Sequence, residues 1–291
     1  MTKMGLIEAV GSVYRLMLPE PLRKNIRVTE FDLKYSGRRI CEVNISGKKI
    51  CFSTRDSYSK RWFFPRYENK VHEPGVTHTF AEVTKSAKGI VDVGANLGWF
   101  TCIGALLSEG DVWSFEMDEE NVERLRRNVR LNDAEDKVEV VKAAVGEESG
   151  TVVYQKRPNT AGAQHSLSAE QKTSQEQVDV EVELVPLDKF AETWKTVDLL
   201  KIDVEGAELR VLRGADGIIG KHNPDIIVEV HPTRLLKSGG AAQEVAQFLS
   251  WRGYRIYEIV NARDSASEAE LEGVKADDFC PKENVTLYAS R

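Results

Sequence analysis

The sequence predicts an α/β protein whose core is a doubly wound, mostly parallel sheet. Three observations carry this. From Lys88 onward, short apolar runs alternate with segments of helical period. The first run, Gly89-Ile90-Val91-Asp92-Val93, is nearly all apolar, as in a strand buried on both faces, and passes straight into Gly94-Ala95-Asn96-Leu97-Gly98. Two later runs end in Lys201, Asp203 and Glu205, and in Glu229 and His231, a polar load at the strand ends where open parallel sheets receive ligands.

The 291 residues suffice for one large α/β domain with an appendage. With 41% hydrophobic and 30% charged residues the chain reads as globular, and no apolar run approaches the ~18 residues that cross a bilayer. Residues 5–18 place Leu6, Val10, Val13 and Met17 on one helical face, but Glu8 and Arg15 make them too polar for a signal-peptide core, so the expected location is cytoplasmic. Cys41, Cys51, Cys102 and Cys280 lack C-x-x-C spacing, which favours free thiols over a zinc site or a disulfide frame. Charge is uneven: residues 1–80 hold 15 Lys and Arg against 8 Asp and Glu, and residues 81–291 hold 25 against 38. A basic front end suits an anionic partner such as RNA or a phosphorylated sugar carrier, although so modest an excess is more often a solvated surface.

Residues 1–70 are expected to form a separate module. A helix over 5–18 is stopped at Pro19-Glu20-Pro21, and alternating runs at 26–34, 39–45 and 49–53 predict a β-meander, with Ser46-Gly47-Lys48-Lys49 as a hairpin turn. Trp62-Phe63-Phe64-Pro65-Arg66-Tyr67 is either a wall of a substrate pocket or an apolar joint to the main domain, assigned to 71–291. A helix over 71–87 leads into the central strand. Beyond the glycine turn, Phe100, Ile103, Ala105 and Leu106 suit a helix, and Asp111 to Glu116 a second strand. Asp118 caps a charged helix reaching Asn132, whose Arg124, Arg126, Arg127 and Arg130 either meet nucleic acid or pair with neighbouring acids. Strands follow at 137–141, 150–154, 178–184, 197–204, 224–232, 254–260 and 285–290, with a helix over 241–252 and an acidic loop from Ser265 to Asp278. The polar stretch 156–177, holding His165 and Ser166, is either mobile or a lid that touches substrate.

The turn departs from the dinucleotide fingerprint, which needs G-x-G-x-x-G and a helix N-terminus free for pyrophosphate. Here Asp92 stands at the strand tip and would repel phosphate, so an adenosine-type ligand with a cationic tail fits better. Gly94 and Gly98 leave room for close approach, and Asn96 tolerates a left-handed conformation. Glu116 follows the turn by about 20 residues, the spacing that grips ribose hydroxyls. Together Asp92 and Glu116 favour S-adenosylmethionine over NAD. The loop after residue 141 holds small residues that suit adenine.

At the other strand tips, the period-2 rule puts Lys201, Asp203 and Glu205 on one face if the strand runs that far, and Glu229 with His231. Methyl transfer to a hydroxyl needs an aligned nucleophile and a group to take its proton, and His231 has a suitable intrinsic pKa. Asp203 and Glu205 could alternatively hold a divalent metal, or form a salt-bridge network with Lys201.

Val91-Asp92-Val93-Gly94-Ala95-Asn96-Leu97-Gly98, Phe115-Glu116 and Asp198-Leu199-Leu200-Lys201-Ile202-Asp203-Val204-Glu205-Gly206-Ala207-Glu208, in this order, closely resemble the FkbM family of S-adenosylmethionine-dependent methyltransferases. Pro186-Leu187-Asp188 and Glu229-Val230-His231 are also similar to it, and the resemblance covers roughly residues 71–232. It implies a seven-stranded class I methyltransferase sheet of order 3-2-1-4-5-7-6 with an antiparallel last strand, and O-methylation of sugars or polyketide hydroxyls. Carried over by position, it implies that Asp92, Gly94, Asn96 and Gly98 cradle the methionine end of the cofactor, Glu116 the ribose, and Met117 and Ala144 the adenine. Lys201, Asp203 and Glu205 would border the transfer site. The leading expectation is therefore methylation of a glycan or small hydroxylated metabolite. The rivals are an RNA methyltransferase reading RNA through the front module, and a non-catalytic nucleotide-binding protein.

Overall fold

The computed structural model describes residues 31, 34–67, 71–156, 178–263 and 269–291. The expected helix over 5–18, the start of the expected strand at 26–30, and His165 and Ser166 lie outside the described residues.

The front segment forms a hairpin, β1 (Ile40–Ile45) and β2 (Lys48–Ser53), joined through Ser46 (φ 48°) and Gly47 (φ 77°), the left-handed pair that a two-residue turn between twisted strands requires. The meander is not complete: Phe31 and Lys34 are helical, so the described part of the expected strand at 26–34 is no strand, and β1 and β2 stand as a two-stranded sheet. Helix α1 (Ser57–Tyr67) turns Phe63 and Phe64 inward. Phe63 stacks on Phe52 (centroids 4.7 Å apart), and Phe52 on Trp99 (5.0 Å). The aromatic cluster is thus an apolar joint, each buried ring adding roughly 1.5–3 kcal/mol.

Helix α2 (Pro74–Thr84) leads into the main sheet: β3 (Gly89–Val93), α3 (Trp99–Leu107), β4 (Asp111–Glu116), α4 (Glu119–Leu131) and β5 (Val138–Lys142). Asp118 caps α4 by accepting from the Asn121 amide (3.1 Å), and Glu119 and Glu120 in the first turn favour the positive end of the helix dipole. Beside the main sheet, β6 (Ala144–Val145), β7 (Gly150–Lys156) and β8 (Val178–Val185) form a three-stranded sheet. The chain returns as β9 (Leu199–Ile202), α5 (Glu208–Arg213), α6 (Asp216–His222), β10 (Asp225–Val230), α7 (Pro232–Lys237), α8 (Ala242–Trp251), β11 (Arg255–Ile259), β12 (Leu271–Gly273) and β13 (Val285–Ser290).

The main sheet runs β5-β4-β3-β9-β10-β13-β11-β12. Strands β3, β4, β5, β9 and β10 are mutually parallel, whereas β13 is antiparallel to β10 and β11 to β13. With β12 set aside, the order along the chain is 3-2-1-4-5-7-6, the doubly wound class I methyltransferase arrangement that the family resemblance implies. The correction is at the edge: the acidic loop carries an eighth strand, β12, antiparallel to β11.

Two apolar clusters cover the two faces. One gathers Val91, Val93, Leu200, Ile202 and Val228 under α5, α6 and α8. The other unites Ile90, Val112, Leu199 and Ile227 with Tyr35, Ile50, Phe52 and Phe63, so the described front segment shares a core with the main sheet. Helix α4 also fastens the hairpin. Asn132 accepts from the Cys51 amide and donates to the Cys51 carbonyl (both 2.8 Å), pairing with β2 as a strand would. Asn128 accepts from Ser53 N and donates to Leu97 O (both 2.7 Å), linking the hairpin to the glycine turn.

Candidate functional site

The site grows out of the parity of the strands. On the face formed by Ile90, Val112, Leu199 and Ile227, side chains two residues further on are Asp92, Ser114, Lys201 and Glu229. Register places Ser114 beside Asp92 and Asp92 beside Lys201, so the apolar layer turns ionisable at the carboxyl edge of the sheet. Asp92 is buried; one oxygen accepts from Thr101 Oγ1 (2.7 Å), and the other, Oδ1, has no hydrogen-bond partner among the described residues. Burial raises its pKa, against the pull of Lys201. Lys201 lies over the Phe100 ring (4.3 Å) and 3.6 Å from Asp203. Burial works against its charge, but Asp203, Asp92, Glu73 and Glu229 prevail and raise its pKa, so it stays a cation.

The glycine turn owes its shape to neighbouring protein atoms. Gly94 (φ 81°) and Gly98 (φ 84°) are left-handed, as is Asn96 (φ 51°). A Cβ on Gly94 would stand 1.8 Å from the Asp203 carbonyl oxygen, and one on Gly98 would stand 2.3 Å from Leu125 Cδ1. Beside the expected room for a ligand, the glycines thus have a second reason: they let the turn close on the end of β9 and on α4. Asn96 N donates to Glu116 Oε2 (2.8 Å) and Asp118 N to Glu116 Oε1 (2.8 Å), fixing the Glu116 carboxylate against the turn. Burial pushes its pKa up to about 7 despite these amides. Met117 and Ala144, expected around adenine, come together in a small apolar cluster with Tyr154 and Val182. The Tyr154 hydroxyl donates to Asp118 (3.0 Å).

The second half of the site lies at the tips of β9 and β10. Strand β9 stops at Ile202, so the condition for Glu205 to share its pleat is not met; it enters through a left-handed turn (Glu205 φ 56°, Gly206 φ 108°). The result still brings the polar residues together. His231 Nε2 lies 3.3 Å from Glu205, 3.6 Å from Glu229 and 4.0 Å from Asp203. Its Nδ1 is 2.6 Å from Oε1 of fully buried Glu208. Burial opposes the imidazolium, but the Glu208 hydrogen bond and the charges of Asp203 and Glu205 outweigh it and push the pKa up to about 9. The pKa of His231, expected as a base, is thus raised above the intrinsic value that suggested this role.

A family model described as the Methyltransferase FkbM domain matches residues 92–256, more than half of the chain. The chain belongs to the FkbM methyltransferase family. A methyltransferase of Sordaria araneosa, sdnD, is 30% identical over 155 residues, covering 44% of this chain and 60% of sdnD. The hexuronic acid methyltransferase AglP of Haloferax volcanii is 26% identical over 184 residues, covering 60% of this chain and 72% of AglP. A crystal structure of a methyltransferase FkbM from Methylobacillus flagellatus is 19% identical, covers 91% of this chain and 59% of that one, and superposes with a TM-score of 0.46.

Four site residues of this FkbM family chain escape sequence reasoning. Glu73, in a left-handed conformation (φ 42°) ahead of α2, reaches the cluster from outside the matched region. Its carboxylate is raised by burial and by Asp203, against Lys201 and Arg263. Arg263 joins it (3.7 Å) to Glu229 (2.7 Å). Glu229 is pushed up to about 7 by burial, Asp203 and Glu73. Glu208 looks in sequence like an ordinary helix-start acid, and its role shows only in the His231 contact. Arg234 closes the ring, 3.0 Å from Glu205. Three arginines of α4 are engaged away from the site: Arg124 pairs with Asp56 and Glu120 and lies over Tyr58, Arg127 pairs with Asp56, and Arg126 donates to Val140 O. Among the described residues no helix is long and apolar enough to cross a membrane.

Proposed function

We propose that this chain binds S-adenosylmethionine against the Gly94–Gly98 turn and directs its methyl group to a hydroxyl of a sugar or small metabolite. The observation that carries this is the junction of two polar sites at one sheet edge: Glu116 clamped to the turn by the Asn96 amide, and the Lys201–Asp203–His231 cluster beside Asp92. The orphaned Asp92 Oδ1 fits a cationic or hydroxylic group of the cofactor. Glu116 keeps lone pairs on both oxygens for ribose hydroxyls, and Met117 and Ala144 offer an apolar contact to a base. When bound, the cofactor supplies a methyl group already activated on a sulfonium.

The chain's own work is then to orient the acceptor and take its proton. Asp203 and Glu205 are the carboxylates an acceptor reaches first, with side chains 30% and 22% exposed, whereas Glu208 is fully buried. Lys201 and His231, held as cations, steady these carboxylates and the oxygen charge that develops as the proton leaves. Such a site, polar and rich in acids, matches a polyhydroxylated acceptor, and the relationship to a hexuronic acid methyltransferase supports a sugar. Nothing comparable supports RNA: Phe63 and Phe64 are core residues, and Arg124 and Arg127 of α4 pair with Asp56.

Calorimetric titration with S-adenosylhomocysteine tests the cofactor half. Micromolar binding that Asp92→Ala and Glu116→Ala each weaken at least tenfold supports it; no binding to folded protein refutes it. Labelled methyl transfer to a panel of sugars and uronic acids, with RNA alongside, tests the acceptor.

A further inference from the structure

We propose that Asp203, Glu229 and His231 form a binding site for a hard divalent cation of the Mn2+/Mg2+ class, bordering the transfer site. The inference rests on the methyltransferase reading only for its purpose, not for its geometry. One carboxylate oxygen from each acid and a ring nitrogen of His231 lie within 4.8 Å of one another. A cation about 2.1 Å from each donor separates adjacent donors by about 3 Å and opposite donors by about 4.2 Å. The distances from His231 Nε2, 3.6 Å to Glu229 Oε1 and 4.0 Å to Asp203 Oδ1, fall inside that span. Small side-chain adjustments therefore bring the three onto one ion.

The surroundings argue the same way. A metal-binding imidazole is commonly oriented by a carboxylate on its other nitrogen. Glu208 does this from a fully buried position, 2.6 Å from Nδ1, which turns Nε2 toward the acids. Among the described residues the second oxygen of Glu208, Oε2, is buried without a hydrogen-bond partner. The cluster holds more carboxylates than cations: Glu73, Asp203, Glu205, Glu208 and Glu229 face Lys201, Arg234 and Arg263 besides His231. A divalent ion in place of the Nε2 proton adds charge where it is lacking. Arg263, largely exposed, already lies near Glu73 and can remain there when the ion takes Glu229. Two carboxylates and one imidazole suit Mn2+ or Mg2+ better than a thiolate-seeking metal, and the remaining positions are open to water and acceptor oxygens. With Asp203 on the ion, Glu205 is left to receive the acceptor's proton.

The test uses the full chain, stripped with chelator, and MnCl2 followed by electron paramagnetic resonance. The expected result is one Mn2+ bound per chain, displaced by excess MgCl2, and weakened at least ~10-fold in both Glu229→Gln and Asp203→Asn. Thermal unfolding without metal verifies that each variant is folded, and the near-isosteric Glu229→Gln decides if another variant is not. No bound Mn2+ in the wild type, or equal binding in the folded variants, overturns the proposal. Titration with S-adenosylhomocysteine in the same preparations separates the two readings. Cofactor binding without Mn2+ removes only the cation site; Mn2+ binding without the cofactor removes only the proposed cofactor site and activity.

Discussion

Replacing Gly94 by alanine tests the claim that the glycine turn is shaped by protein contacts. At φ 81° any residue with a Cβ is strained, and the left-handed region costs roughly 1–2 kcal/mol. The new methyl group would also lie 1.8 Å from the carbonyl oxygen of Asp203, a backbone atom at the end of an interior strand. Relief requires moving β9 relative to the turn, and overpacking of this kind adds about 1–3 kcal/mol. The expected loss is therefore about 2–5 kcal/mol, which at roughly 2–4 °C per kcal/mol lowers Tm by about 4–20 °C. Gly98→Ala is the internal control. Its φ is similar, but its Cβ meets a side-chain methyl of Leu125, which can turn aside, so the loss should be smaller. Urea unfolding of both variants measures the difference, and S-adenosylhomocysteine titration reports whether the site moves with β9. A Gly94→Ala loss under about 0.5 kcal/mol, or a larger loss for Gly98→Ala, would refute the reasoning.

Asn128→Ala removes the donor and acceptor joining Ser53 to Leu97 and strands two amide groups; an expected loss of about 2–3 kcal/mol by urea unfolding checks it. Asp198→Ala frees the Lys88 and Gly89 amides (2.7 and 3.0 Å) that anchor the start of β3, with an expected cost of about 1–3 kcal/mol in the same assay. Glu116 gives a pH dependence. Its folded pKa is raised from 4.5 to about 7, so its contribution to stability is full below about 4.5 and is lost as pH rises through about 7. Unfolding at pH 5 and pH 8 should show Glu116→Gln abolishing up to about 3 kcal/mol of that decline. The same ionisation makes Glu116 a better acceptor for ribose hydroxyls, so wild-type affinity for S-adenosylhomocysteine should fall on acidification through about 7, while Glu116→Gln stays weak and flat.

Much of this was legible because β-sheet parity is a rigid code. The alternation that buries Leu199 and Ile227 also commits Lys201 and Glu229 to the same face, so their meeting follows from pattern alone. The strand order came from the FkbM-like motifs, since periodicity by itself does not order strands. What escaped was set by turns and by long-range contact. Glu205 reaches His231 through a left-handed turn that no alternation announces, and Glu73 arrives from a segment more than 120 residues away in sequence. The helical residues 31 and 34 lie where alternation pointed to a strand, because a short apolar run does not distinguish an edge strand from a helical turn packed on aromatics.

The hairpin of residues 40–53 has a consequence during synthesis. Its inward face (Val43, Ile45, Ile50, Phe52) is sheltered by residues made later, and Cys51 is held by Asn132, 81 positions downstream. At 5–20 residues per second the ribosome needs roughly 4–16 seconds to produce that partner. Throughout that interval a two-stranded ribbon with an apolar face and two bare edges is exposed to the cell, so the front of the chain should be the part that nascent-chain chaperones hold.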